Sequence, residues 1–152
     1  MSVDYIVASL PALRFGEPPP LGWEKFLGLI APITVGELFA DWRELETEMR
    51  NAMAEARGGA KYVRPVAGCS LYWKNRVTAA FAEKDVAKRD ELLDRVWWDA
   101  AGELTPCAAP LGKGALATYA VRLQIALRRA KISVEAGNAA FDRLTASTKL
   151  EL

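Results

Sequence analysis

Apolar residues recur every three or four positions along most of this chain, with polar residues between them. That is the period of an α-helix, which turns once in ~3.6 residues and gathers such positions on one face. Trp23, Phe26, Leu27 and Ile30 make the first clear stripe, and Pro32 stops it. Thr34 and Glu37 then have capping-box spacing, Thr34 capping the helix start and Glu37 reaching back. The helix they open runs through Leu38, Trp42, Leu45, Met49, Ala52 and Ala56 as one apolar seam, to a stop at Gly58-Gly59. Ser70 caps a further helix to about Lys84, with Leu71, Val77, Ala80 and Phe81 apolar. Asp85 caps the next, where Leu92, Leu93, Val96, Trp97, Ala100 and Leu104 form a broad face before Thr105-Pro106.

The strongest helical pattern covers residues 115–131. Leu116, Tyr119, Ala120, Leu123, Ala126, Leu127 and Ala130 form its stripe, widened by Val121 and Ile125. Such width predicts contact on more than one side, hence a central helix. Ser133 caps a last helix with Ala136, Ala140, Phe141 and Leu144 inward, and residues 145–152 read as a polar, frayed tail. No repeat is visible, and no alternating strand pattern appears outside the first ten residues. Residues 5–10 are too short a run for periodicity to separate strand from helix. Beyond them Pro18-Pro19-Pro20 favours an extended conformation, so residues 1–21 read as an N-terminal segment with a proline-rich arm. The expected fold is all-α: a compact antiparallel bundle of five to six helices, one domain over residues 1–152, preceded by that arm.

Composition supports a single core. The chain has 152 residues, of which 51% are hydrophobic, enough to need no disulfide or metal staple. Its 20 Lys and Arg against 19 Asp and Glu leave a net charge of +1, so it lacks the basic excess of a nucleic-acid binder. The N-terminus has no basic stretch ahead of its apolar run, and no run approaches the ~20 residues that span a bilayer. A cytoplasmic protein, without direct membrane insertion, is the expectation, and its two cysteines, Cys69 and Cys107, are expected reduced.

The chain contains no histidine. That removes imidazole acid–base chemistry, Ser-His and Cys-His nucleophile pairs, and the commonest zinc ligand. Gly112-Lys113-Gly114 looks like part of a phosphate loop, but position 107 is Cys, Gly114 stands where Ser or Thr is needed, and the preceding element is helical. A flexible loop is the better reading. Asp90, Glu91 and Asp94 near a helix start are explained by the positive end of its dipole. No catalytic residue, cofactor or metal site is therefore expected. Arg122, Arg128, Arg129 and Lys131 crowd the second half of the central helix, either as a solvated face with internal ion pairs or as a docking patch for an acidic partner. Trp97 and Trp98 diverge by about 100°, so Trp98 lies at the stripe's margin, covered by another segment or open to a partner.

Three stretches in order carry a family resemblance: Tyr5-Ile6-Val7-Ala8-Ser9-Leu10-Pro11 with Pro19-Pro20 and Glu24-Lys25-Phe26-Leu27; Arg89-Asp90-Glu91-Leu92-Leu93-Asp94-Arg95-Val96-Trp97-Trp98; and Tyr119-Ala120-Val121-Arg122-Leu123-Gln124-Ile125, followed by Glu135-Ala136-Gly137 and Phe141. Together they resemble the bacterial domain-of-unknown-function 2764 family, associated with gene clusters for V/A-type ATP synthases. The resemblance implies a non-catalytic subunit or assembly factor of that machine, peripheral to the membrane through the complex. The opening segment also resembles the start of its helical C subunit, although the chain is shorter and the proline arm interrupts it. Candidate contacts are Tyr5, Trp98, Arg122, Arg128 and Arg129, and homo-oligomerisation stays open. The rival reading is a small enzyme or anionic-ligand binder using Lys113 with the Arg122/Arg129 face.

Overall fold

The computed structural model describes residues 2–58, 70–132 and 134–150, with the side chains of residues 134–137 and 148–150 excepted. Every regular element among them is helical: α1 (Val3–Ser9), α2 (Trp23–Ile30), α3 (Val35–Leu38), α4 (Trp42–Gly58), α5 (Leu71–Phe81), α6 (Val86–Ala101), a 3-10 helix (Gly102–Leu104), α7 (Lys113–Ala130) and α8 (Val134–Leu150). The all-α class follows. The opening segment is helix, and it ends where the residue before Pro11, Leu10, leaves helical space at ψ 137°.

The predicted caps at Thr34, Ser70 and Asp85 are in place. Thr34 and Glu37 form a complete capping box, and the Asp85 carboxylate accepts from the N–H groups of Ala87 at 3.0 Å and Lys88 at 3.2 Å. Ser70 accepts from Trp73 N–H at 3.5 Å, while its own N–H is held by the Glu48 carboxylate of α4. The box opens only a four-residue helix, however, and a turn at residues 39–41 separates α3 from α4. The single helix expected from Thr34 to Gly58 is thus two. Leu38 packs into one core cluster and Trp42 into another, so the turn redirects the chain between them.

Those two clusters organise the structure. One joins Trp42, Leu45 and Met49 of α4, Trp73 and Val77 of α5, and Leu93, Val96 and Ala100 of α6. The other joins Ile6 of α1, Leu21, Phe26 and Ile30 around α2, and Leu116, Ala120 and Leu123 of α7. Val121 of α7 belongs to the first cluster, so α7 is packed from two sides as its wide stripe predicts. Thr118, buried on α7, donates to the Ala101 carbonyl at 2.8 Å and shares a 2.6 Å hydrogen bond with Thr105, tying α7 to the end of α6.

Several faces differ from the stripe reading. On α5 the buried set is Trp73, Val77 and Ala80, whereas Leu71 is 67% exposed. Leu71 precedes Trp73 by two residues, about 200° around the helix, so the two cannot share a face. The Trp73 indole N–H donates to the Glu103 carboxylate at 2.5 Å, which makes its burial possible. On α6 Leu93 faces the core and Leu92 is exposed. On α4 Ala56 is exposed, beyond the reach of the core. The largest departure is α8, whose Phe141 and Leu144 are each 69% exposed instead of inward, and which contributes no described residue to either cluster. The helix also continues through residue 150, where a frayed tail was expected. The expected irregular stretch 61–68, Gly59, Cys69, the Ser133 cap and the side chain of Ala136 lie outside the described residues.

Candidate functional site

The arginines of α7 face the outer side of α6 and are held by it. Arg129 meets the Asp94 carboxylate at 2.9 Å, Arg128 bonds the same carboxylate, and Arg128 also stands 3.7 Å from Asp90. Asp94 is only 8% exposed and sits in the middle of α6, too far from the N-terminus for the helix dipole to explain it. The dipole account of Asp94 is therefore replaced by ion pairing across the α6–α7 seam. Burial works to lower the Arg128 pKa, but the Asp94 hydrogen bond and charge, and then Asp90, outweigh it and raise it. Arg128 and Arg129 diverge around α7 as expected, yet both bend to one carboxylate.

Arg122 behaves differently. Its Nε donates to the Trp98 carbonyl at 3.0 Å, and its guanidinium lies over the Trp98 ring, 5.4 Å from the centroid. Burial is the main cause that lowers its pKa; the charge of Asp99 opposes this and that of Arg95 adds to it. It has no ion pair among the described residues. A side chain at Gly102 would crowd it, since a Cβ there would stand 3.1 Å from Arg122 Nη2.

Trp98 is 5% exposed, so it is covered, and the cover is Phe15. The Phe15 ring meets Trp98 edge-on at 5.5 Å, and the guanidiniums of Arg95 and Arg129 each lie over it, 5.1 Å from its centroid. Nearby Tyr119 donates its hydroxyl to the Pro11 carbonyl at 2.7 Å, and burial pushes its pKa up to about 12. The segment between α1 and α2 is thus fastened across α6 and α7. Sequence reading missed Phe15, Arg95, Asp99 and Arg76. The isolated aromatic in a Gly- and Pro-rich stretch was the available signal for Phe15. Asp99, which pairs with Arg76 at 2.8 Å and Arg95 at 3.4 Å, left none.

Of the five candidate contacts, the structure joins Trp98, Arg122, Arg128 and Arg129 in one neighbourhood. Tyr5 stands apart on α1, 61% exposed, with no bond or ring contact to that group. Lys113 opens α7, whereas Arg129 lies in its last turn. The two are about 24 Å apart along the axis at ~1.5 Å per residue, so they form no common anion site. Gly114 is also no flexible loop residue: a Cβ there would lie 2.0 Å from the Leu104 carbonyl oxygen, so α7 starts in direct backbone contact with the 3-10 helix.

A surface groove of about 800 Å³ runs between α4 and α6, with Met53, Leu93 and Trp97 at its apolar part and Glu46, Arg50, Asp90, Asp94 and Arg128 among its charges. Its volume suits a small ligand. Its charges are largely spent on one another, as in Arg50–Glu46 at 2.9 Å, and neither Lys nor Tyr lines it. Among the described residues no group of His, Cys, Asp or Glu could hold a metal ion, and no helix is long and apolar enough to cross a membrane. Cys107 is exposed. No family model matches the chain, and no curated protein or solved structure matches it.

Proposed function

We propose that this protein is a non-catalytic helical docking module whose partners are subunits of a bacterial V/A-type ATP synthase, as stalk component or assembly factor. The partner class rests on the sequence resemblance alone. The docking role rests on the exposed apolar surface of α8 and its approach: Phe141 and Leu144 are each 69% exposed, and Ile132, just before α8, is 56% exposed. Apolar side chains grouped on one helix and left in water mark a surface that another protein covers. An amphipathic helix laid into a partner's groove is a common way to do so, with anchors at three- and four-residue spacing.

The test is co-elution of the purified full chain with purified stalk and catalytic subunits of a V/A-type ATP synthase at low salt. Co-elution with a defined subunit, lost in Phe141→Asp, is expected. Separate elution of the wild-type chain from every subunit defeats the partner assignment. Co-elution that survives Phe141→Asp defeats α8 as the contact.

A further inference from the structure

Phe15 sits in a turn closed by Glu17 N–H donating to the Arg14 carbonyl at 3.2 Å, with Gly16 at φ 84°. Glycine enters that left-handed region without side-chain strain, and Phe15 occupies the other corner of the turn. From there its ring enters a seat made of Trp98, Arg95 and Arg129, with Arg122 stacked on the same tryptophan.

Two observations indicate that this seat suits a ligand better matched than Phe15. The first is charge. Arg95 and Arg129 lie over the Phe15 ring and Arg122 over Trp98, against Asp99 and Asp94, which pair with Arg95 and Arg129. Arg122 spends its Nε on a carbonyl and pairs with no carboxylate among the described residues, so its terminal amino groups remain donors for one. The chain's own occupant brings a further cation, Arg14, which among the described residues pairs only with Glu17 of the same turn at 3.9 Å, both side chains largely exposed. The second observation is the local nature of the attachment. Arg14, Gly16, Glu17 and Pro18 are exposed, while Ile6 and Leu21 anchor the chain on either side in the core. Swinging the turn outward breaks the Glu17–Arg14 backbone hydrogen bond and the Phe15 ring contacts, while Leu13, packed against the core, and Leu21 within it hold the chain on either side.

We propose that the turn at residues 14–17 is an autoinhibitory plug, Phe15 filling a seat on Trp98, Arg95, Arg122 and Arg129 that receives an aromatic side chain flanked by carboxylates from an acidic segment of a partner protein. The incoming ring replaces Phe15 against the guanidiniums, and the flanking carboxylates supply Arg122 and Arg95 with the pairing that Arg14 opposes. This rests on the docking reading and adds to it a second, masked surface.

Fluorescence anisotropy of a labelled peptide, one phenylalanine between pairs of acidic residues, measures the seat in the full chain. A plug that leaves the seat open about one tenth of the time lowers apparent affinity about tenfold, so Phe15→Ala is expected to tighten binding by about that factor. Adding Arg122→Gln to Phe15→Ala weakens it again, and a peptide with Ala in place of its Phe binds poorly. Arg14→Glu makes the plug a better occupant and weakens peptide binding; because Arg14 is exposed, this arm does not depend on how well Phe15→Ala folds. Unchanged or weaker binding to Phe15→Ala that is helical by circular dichroism overturns the proposal, as does unchanged or tighter binding to Arg14→Glu. Equal binding of the Phe-free peptide overturns it too, since charge alone then accounts for the attraction. Phe141-dependent co-elution with these negative results removes the plug and leaves the docking reading standing; peptide regulation without co-elution does the reverse.

Discussion

Replacing Gly114 with alanine tests whether the start of α7 is as closely set as the structure has it. A Cβ at this position would lie 2.0 Å from the Leu104 carbonyl oxygen and 3.1 Å from both Leu104 C and Pro106 Cδ. Contacts below 3.0 Å essentially never occur for real Cβ atoms, so about 1 Å of movement is required, and the main obstacle is backbone. Overpacking of this kind costs about 1–3 kcal/mol, with the upper part of that range expected where no flexible side chain can yield. Against it stands the helix preference of alanine over glycine, worth about 1 kcal/mol in a helix interior and less at the second position of α7. The net expectation is a loss of about 2 kcal/mol, or roughly 4–8 °C in Tm for a domain of this size. Gly28 is the internal control, because it is exposed within α2 and a Cβ there meets nothing within 4 Å. Gly28→Ala should stabilise by about 0.5–1 kcal/mol through helix preference and a less flexible unfolded chain. Urea unfolding followed at 222 nm reads both variants in one assay. Equal stabilisation by the two substitutions would refute the close approach and restore a flexible Gly112–Gly114 loop.

Asp94→Asn should destabilise by about 1–3 kcal/mol, because it leaves Arg129, itself largely buried, without its carboxylate; thermal unfolding of Asp94→Asn beside Asp90→Asn checks it, and equal small losses would place the ion pairs on a solvated face. Tyr119 should stay protonated above pH 10, since its pKa is pushed up to about 12 by burial. The unfolded chain then loses that proton first, so this contribution to stability is complete below about pH 10 and is lost as pH rises from about 10 to 12; absorbance titration of phenolate formation checks it, and Tyr119→Phe should flatten that part of the alkaline stability profile. Thr34→Ala should cost about 1 kcal/mol by removing the capping box at α3, measured by urea midpoint, and no change would mean that packing of Leu38 alone fixes α3.

Local signals in the chain were legible where local forces decide the outcome. Thr34, Ser70 and Asp85 cap helices because each side-chain oxygen satisfies a backbone N–H within its own first turn. The seam from Leu38 to Ala52 and the wide stripe of α7 identify buried positions because hydrophobic periodicity is the imprint of a face turned from water. The absence of histidine likewise limits chemistry without any coordinates. Periodicity is silent about which face wins when two are apolar: Leu71 counts among the apolar positions of α5 yet stands exposed while Trp73 takes the core, and of the broad face of α6 Leu93 is buried and Leu92 is not. It also treated Phe141 and Leu144 as core residues, because a stripe shows that a helix has an apolar side and not which molecule covers it.

The candidate site divides in the same way. Sequence alone marked Trp98, Arg122, Arg128 and Arg129 as the residues to watch, from an aromatic at a stripe margin and a crowd of cations at a helix end. Tertiary structure decided what they do: Asp94 takes Arg128 and Arg129, the Trp98 carbonyl takes Arg122, and Phe15, more than eighty positions earlier in the chain, covers Trp98. Pairings over such distances leave no periodic trace, because they depend on how helices dock and not on how any one of them forms. The helices were written in short-range spacing; which surface they bury, and which they leave for a partner, was settled only when the chain closed on itself.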